Sequence, residues 1–150
     1  MKVECDTCKR NVERNGWRVG PWSREPNVKW FEHAGLACIV HRGPSGAWCG
    51  YVGVEENHPY HGKSYDELDE HPEVHGGLTY GEVESDRCIS SNDGKKRWWF
   101  GFDCAHGGDL CPAFNGFDGF PGDVYRTMDY AISETKFLAE QIVKGGAKNG

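Results

Sequence analysis

Apolar residues gather in two patterns along this chain, short runs bounded by turn signals and a stripe at helical spacing, and the switch between them outlines a fold. From Ala37 to Val54 the spacing is that of strands: Ala-Cys-Ile-Val-His-Arg, a Gly43-Pro44-Ser45-Gly46 turn, then Ala-Trp-Cys-Gly-Tyr-Val-Gly-Val. Two such runs about a short glycine turn predict a β-hairpin. If 43–46 is the whole loop, Arg42 faces Ala47 and Val40 faces Cys49. Side chains alternate across a sheet, so Cys38, Val40, Arg42, Cys49 and Tyr51 then share one face, with Ile39, His41, Trp48 and Val52 on the other. Val74–Val83 and Arg97–Cys104 read as a third and a fourth strand, joined through the turn signal Asn92-Asp93-Gly94. On the fourth, Trp98, Phe100, Phe102 and Cys104 point to a core, and Asp103 points away beside Gly101.

The period lengthens near the C-terminus. Val124, Met128, Ala131, Thr135, Leu138 and Ile142 recur at three- and four-residue steps, one apolar stripe of a helix over 123–144. Asp123 is placed to cap it, and Gly145-Gly146 to end it. Residues 1–35 show neither period; Trp17, Trp22, Trp30 and Phe31 are expected to pin this irregular segment to the core. Phe114, Phe117 and Phe120 are expected to anchor a loop over 107–122. The expectation is a single α+β domain over 1–150, an antiparallel sheet of about four strands with one C-terminal helix packed on it.

The 150 residues allow one modest core, to which a 13% aromatic share adds large buried areas. No apolar run is long enough for a membrane span, and no basic-then-apolar leader opens the chain, so a cytoplasmic protein is expected. The net charge of −6, with Lys95-Lys96-Arg97 as the one basic triplet, argues against a nucleic-acid partner. Acids gather over 55–73, where Ser64 and Glu67 form a capping-box pattern. His58, His61 and His71 lie in the same stretch. Seven cysteines, an odd number without a leader, speak for thiols rather than a disulfide framework.

Three groups carry candidate chemistry. Cys5-x-x-Cys8 is half of a structural zinc site, to be completed from His33, Cys38, His41 or Cys49. Asp103, His106 and Asp109 lie where the fourth strand enters a glycine loop, and His75 joins them if the third and fourth strands pair. Carboxylates beside imidazoles bind a metal, orient a histidine as a base or hold a polar ligand. Cys104 falls on the core face, where a thiol is inert. Arg42 beside a glycine turn offers a fork for an anion.

Four segments in order carry a resemblance: Gly43-Pro-Ser-Gly-Ala-Trp-Cys-Gly-Tyr-Val-Gly-Val54, His58-Pro59, Val74-His-Gly-Gly-Leu-Thr79 and Gly101-Phe-Asp-Cys-Ala-His-Gly-Gly-Asp109. Over roughly Leu36 to Asp109 the chain resembles a family of small uncharacterised proteins encoded by bacteria, notably actinobacteria, and by their phages. The Cys5–Cys8 segment lies outside that pattern. The resemblance brings no established activity. It implies a bacterial or phage cytosolic setting and, by analogy with small phage proteins, an accessory role such as binding a host protein or sequestering a signalling nucleotide.

Three functions fit these features. The first is a protein that binds a small polar, nucleotide-like ligand among His75, Asp103, His106, Asp109 and Arg42. The second is a metal-assisted hydrolase using His75, Asp103, His106 and Asp109 as ligands. The third is an acidic inhibitor that captures a basic protein partner through 55–73.

Overall fold

The computed structural model describes Arg14 and residues 17–68, 71–83, 95–114 and 122–149. Five antiparallel strands form one sheet: β1 (Val28–His33), β2 (Leu36–Arg42), β3 (Trp48–Val54), β4 (Tyr80–Val83) and β5 (Trp98–Asp103), in the order β1-β2-β3-β5-β4. A C-terminal helix, α1 (Met128–Asn149), packs on it. The α+β expectation holds, with five strands in place of about four.

The added strand is β1, inside the segment read as irregular. Lys29 and Glu32 are exposed on it and break the apolar alternation that would reveal a strand. Its hairpin with β2 turns on Ala34 and Gly35, both at positive φ (54° and 81°), the geometry whose twist matches paired strands. An Ala-Gly pair carries little of the sequence signal that Asn-Gly would.

The β2–β3 register differs from the expectation by one residue. Arg42 pairs with Trp48, and Val40 with Gly50. The loop is therefore 43–47, closed by Gly43 N donating to Ala47 O at 2.8 Å. One extra loop residue exchanges the faces of β3. Trp48, Val52 and Val54 join Cys38, Val40 and Arg42 on the helix-covered face, while Cys49 and Tyr51 move to the other with Ile39 and His41.

The helix-covered face is the main core. Val40, Trp48, Val52, Phe100 and Phe102 meet Ala131, Leu138, Ala139 and Ile142 there, all 0–1% exposed. Each large side chain so buried contributes about 1.5–3 kcal/mol. Gly50 lets the helix approach: a Cβ there would stand 2.3 Å from Thr135 Oγ1. A smaller cluster of Ile39, Tyr51 and Trp99 lies on the opposite face. Phe114, expected as a loop anchor, is instead 57% exposed; Phe117 and Phe120 lie outside the described residues.

The helix starts later and ends later than its periodicity suggests. Thr127, not Asp123, caps it, its Oγ1 accepting from Tyr130 N at 3.1 Å. The Glu25 carboxylate accepts from Met128 N at 2.7 Å, an anion at the positive end of the helix. Gly145 and Gly146 stay helical because the loop packs against them: a Cβ on Gly145 would meet the Tyr60 hydroxyl at 2.1 Å, and one on Gly146 would meet His58 Nε2 at 2.4 Å. Among the described residues no helix is long and apolar enough to cross a membrane.

The acidic connection is packed on the core through Tyr60 and Leu68, each 1% exposed. Ser64 N donates to the Glu67 carboxylate at 3.0 Å, closing the short helical turn Tyr65–Glu67 as its capping-box pattern predicts. Asp69 and Glu70 lie outside the described residues, as does the Asn92-Asp93-Gly94 turn.

Candidate functional site

His75 does not lie on a strand, since β4 begins only at Tyr80. The chain before it is laced along α1. Glu73 N donates to Gln141 Oε1 at 2.7 Å, Gln141 Nε2 donates back to Glu73 O at 2.7 Å, and His75 N donates to Glu134 Oε1 at 2.8 Å. A turn follows, with Gly77 N donating to Val74 O at 2.8 Å and Gly76 and Gly77 both at positive φ. Glycine adopts that conformation without the steric cost other residues carry. Thr79 N then donates to Gly101 O at 2.9 Å and leads the chain into the β4–β5 ladder.

The second segment folds tightly after β5. Ala105 N donates to Asp103 Oδ1 at 3.0 Å, and Asp109 N donates to His106 O at 2.9 Å. Leu110 N and Val124 N each donate across a short parallel bridge, to Val124 O and Gly108 O, and this draws 122–126 beside the loop.

These turns bring His75, Asp103, His106 and Asp109 together. Asp109 is the centre, its side chain 1% exposed. It receives His75 Nε2 at 2.8 Å, Arg126 Nε at 3.0 Å and His106 N at 3.0 Å. Burial pushes the carboxyl pKa up, but the bonds from His75, Arg126 and the His106 amide outweigh it and hold the group below its ordinary value. Asp109 is therefore ionised at neutral pH, and His75 Nε2 carries the proton it donates. His75 Nδ1 lies 2.7 Å from the Tyr130 hydroxyl, and in the neutral ring that nitrogen accepts from it.

His106 forms the outer layer. Its ring stands 6.5 Å from that of His75, and its Nδ1 lies 3.1 Å from Asp103 Oδ1. Thr79 Oγ1 approaches the other Asp103 oxygen at 3.4 Å. Gly76 makes room for the imidazole, since a Cβ there would stand 2.5 Å from His106 Nδ1. The outer pair is open, with His106 and Asp103 side chains 37% and 33% exposed, against 14% for His75.

Arg42 takes part in a different cluster. The longer β2–β3 loop turns it to the helix-covered face, where its side chain is 0% exposed. It donates to Gly46 O at 2.7 Å, the Tyr125 hydroxyl at 3.0 Å and Glu25 Oε1 at 3.0 Å, and it lies over the Trp48 ring at 4.5 Å. An arginine so enclosed is a strut joining the N-terminal segment, the hairpin and the start of α1.

Cys104 is 1% exposed, and burial pushes its thiol pKa well above the ordinary range, as its place on the core face implies. Cys5 and Cys8 lie outside the described residues. Of the side chains considered as their partners, His33 pairs with Glu140 at 2.6 Å, and His41 Nδ1 bonds Arg42 O at 3.0 Å. Among the described residues no three His, Cys, Asp or Glu side chains are arranged to hold a metal ion. In His75 the reason is plain, because each ring nitrogen already has a partner.

Sequence reasoning missed Arg126 and Tyr130. Tyr130, Glu134 and Gln141 share a helical face by their spacing of four and seven, which is visible in the sequence. What faces them is not. A recess of about 420 Å³ lined by Glu55, Glu56, Asn57, Lys95 and Lys96 includes none of the cluster, and there Lys95 pairs with Glu55 at 3.4 Å. No protein-family model matches the chain, nor does any curated protein or solved structure.

Proposed function

We propose that this protein binds a small polar, nucleotide-like ligand at the edge formed by Asp103, His106 and the Gly76–Gly77 and Gly107–Gly108 turns. The observation that carries this reading is the support beneath His106. Asp103 orients its imidazole, with Nδ1 3.2 Å from the backbone oxygen and 3.1 Å from Oδ1, Gly76 gives it room, and the buried His75–Asp109 pair fixes the loop, while 37% of the side chain stays exposed. A polar group held in place before its ligand arrives loses little entropy on binding.

The protein carries six net negative charges, which works against an anion at long range. Arg126 supplies a local cation. Asp109 fixes it through Nε at 3.0 Å, and its side chain remains 29% exposed. The resemblance over Leu36–Asp109 supports a bacterial or phage cytosolic setting, in which sequestration of a nucleotide is the accessory role that suits a binding protein.

Titration of the ¹³C- or ¹⁵N-labelled protein with ribonucleoside mono- and diphosphates and cyclic dinucleotides tests the proposal. At least one should saturate with shifts centred on the His106 ring, and His106→Ala should abolish them. Linear, unsaturated shifts across the whole panel would remove the reading.

A further inference from the structure

Asp109, His75 and Tyr130 are joined in a line. Asp109 Oδ2 accepts from His75 Nε2 at 2.8 Å, and His75 Nδ1 lies 2.7 Å from the Tyr130 hydroxyl, from which it accepts in the neutral ring. The carboxylate end is buried and the phenol end is half-buried. A carboxylate that fixes the tautomer of an imidazole, itself bonded to a hydroxyl, is the arrangement by which proteins make a weak nucleophile reactive. Here the imidazole uses Nε2 toward the carboxylate and Nδ1 toward the hydroxyl, and the proton path is the same.

Arg126 belongs to this line. Its Nε is held by Asp109 at 3.0 Å, and its guanidinium lies 5.1 Å from the Tyr130 ring centre. A planar cation over the ring of the attacking phenol suits a phosphoryl group, whose oxygens match the guanidinium fork. Glu134, whose Oε1 accepts from His75 N, also faces the phenol and opposes a phenolate. Burial raises the phenol pKa, so Tyr130 holds its proton at rest and needs a base to release it.

We propose that Tyr130, relayed through His75 and Asp109, is a nucleophile toward the phosphoryl centre of a phosphodiester, with Arg126 holding the phosphoryl oxygens. The inference rests on the nucleotide-binding reading for its substrate. As the Tyr130 Oη–P bond forms, its proton passes to His75 Nδ1. The ester P–O bond breaks, and the leaving alkoxide takes that proton. Water then attacks phosphorus and gives a proton to His75, which returns it to the departing Tyr130 oxygen. The sum is a diester plus water giving a monoester plus an alcohol.

An alkyl fluorophosphonate tests the nucleophile without any nucleotide. Attack forms Oη–P, breaks P–F, releases fluoride and leaves the proton on His75. Intact mass and peptide mapping should place one adduct on Tyr130, formed about 100-fold faster than at the exposed Tyr65. His75→Gln and Asp109→Asn should each slow it about 10²- to 10⁴-fold. Circular dichroism identifies a variant that has unfolded, and the Tyr130-to-Tyr65 ratio in the unaltered protein is decisive by itself. Bis(4-nitrophenyl) phosphate should release nitrophenolate with the unaltered protein and not with Tyr130→Phe.

Labelling of Tyr130 no faster than Tyr65, an unchanged rate in folded His75→Gln, or no diester turnover would overturn the inference and leave the line as a structural tie. If Tyr130 is reactive and hydrolyses the diester but the nucleotide panel fails to bind, the ligand reading falls alone. If nucleotides bind and Tyr130 is inert, the nucleophile falls alone.

Discussion

His75 and Asp109 stand 34 positions apart in the chain and meet side chain to side chain at 2.8 Å. Neither lies in a strand or in the helix, yet their contact joins the two glycine-rich turns to each other. Through Arg126 and Tyr130 it also joins both turns to the start of α1.

The first prediction concerns that contact. Asp109→Ala leaves His75, Arg126 and the His106 amide without their shared acceptor, and should cost about 2–3 kcal/mol in chemical denaturation. The folded carboxyl titrates below its unfolded value of about 3.9, so its contribution is present above that pH and is lost as pH falls through the folded value. Asp109→Asn should therefore show a flatter acid limb than the unaltered protein when unfolding is followed from pH 6 to pH 2.

Gly76→Ala should disturb the candidate site more than the rest of the fold. At φ +68° an alanine is strained, and its Cβ would stand 2.5 Å from His106 Nδ1. The expected cost exceeds about 1 kcal/mol, with displaced His106 resonances in a ¹H–¹³C spectrum while those of Trp48 and Phe100 stay in place.

Glu25→Ala tests the buried strut. It removes the carboxylate that pairs with Arg42, whose side chain is fully buried, together with the acceptor at Met128 N. Breaking one side of such a pair costs about 3–5 kcal/mol, whereas replacing both partners by apolar residues of similar size costs far less. The double variant Glu25→Leu with Arg42→Met should thus melt above Glu25→Ala.

Gly145→Ala separates local preference from packing. Helix propensity alone would make it stabilising by about 1 kcal/mol. The Tyr60 hydroxyl occupies the place of the new Cβ at 2.1 Å, and Tyr60 is 1% exposed. Overpacking costs about 1–3 kcal/mol, so the melting temperature should fall.

His41 sets a pH dependence near neutrality. Burial lowers its pKa, against the opposing bond to the Arg42 carbonyl. The unfolded chain then takes up a proton that the folded chain refuses. Stability is full above about pH 6.5 and declines as pH drops below it. His58 shifts the same way. Melting temperatures at pH 7.5 and 5 should differ less in His41→Phe than in the unaltered protein.

Much of the fold is legible in the residues. The short, nearly continuous apolar runs Leu36–Arg42 and Trp98–Asp103, bounded by turn signals, mark strands covered on both faces. The stripe Ala131, Thr135, Leu138 and Ile142 marks a helix face by its three- and four-residue steps, and all four are buried. The segregation of Cys104 from Asp103 follows from one strand alone. The meeting of His75 with the Asp103–Asp109 segment is also anticipated, although the route differs: a turn laced to the helix, not a strand paired with β5.

What the sequence determined by itself is local patterning, and with it strands, helix and which side chains of one element share a face. The tertiary structure decided everything that depends on how elements meet. A single extra loop residue moved Trp48 beneath the helix. The strut buried Arg42, and Tyr60 kept Gly145 within the helix. Arg126 and Tyr130 reached Asp109 and His75 because a short bridge between Asp109 and Val124 carries the chain there. Such contacts leave no period in the chain, since they are selected by packing and hydrogen bonding between residues far apart in sequence.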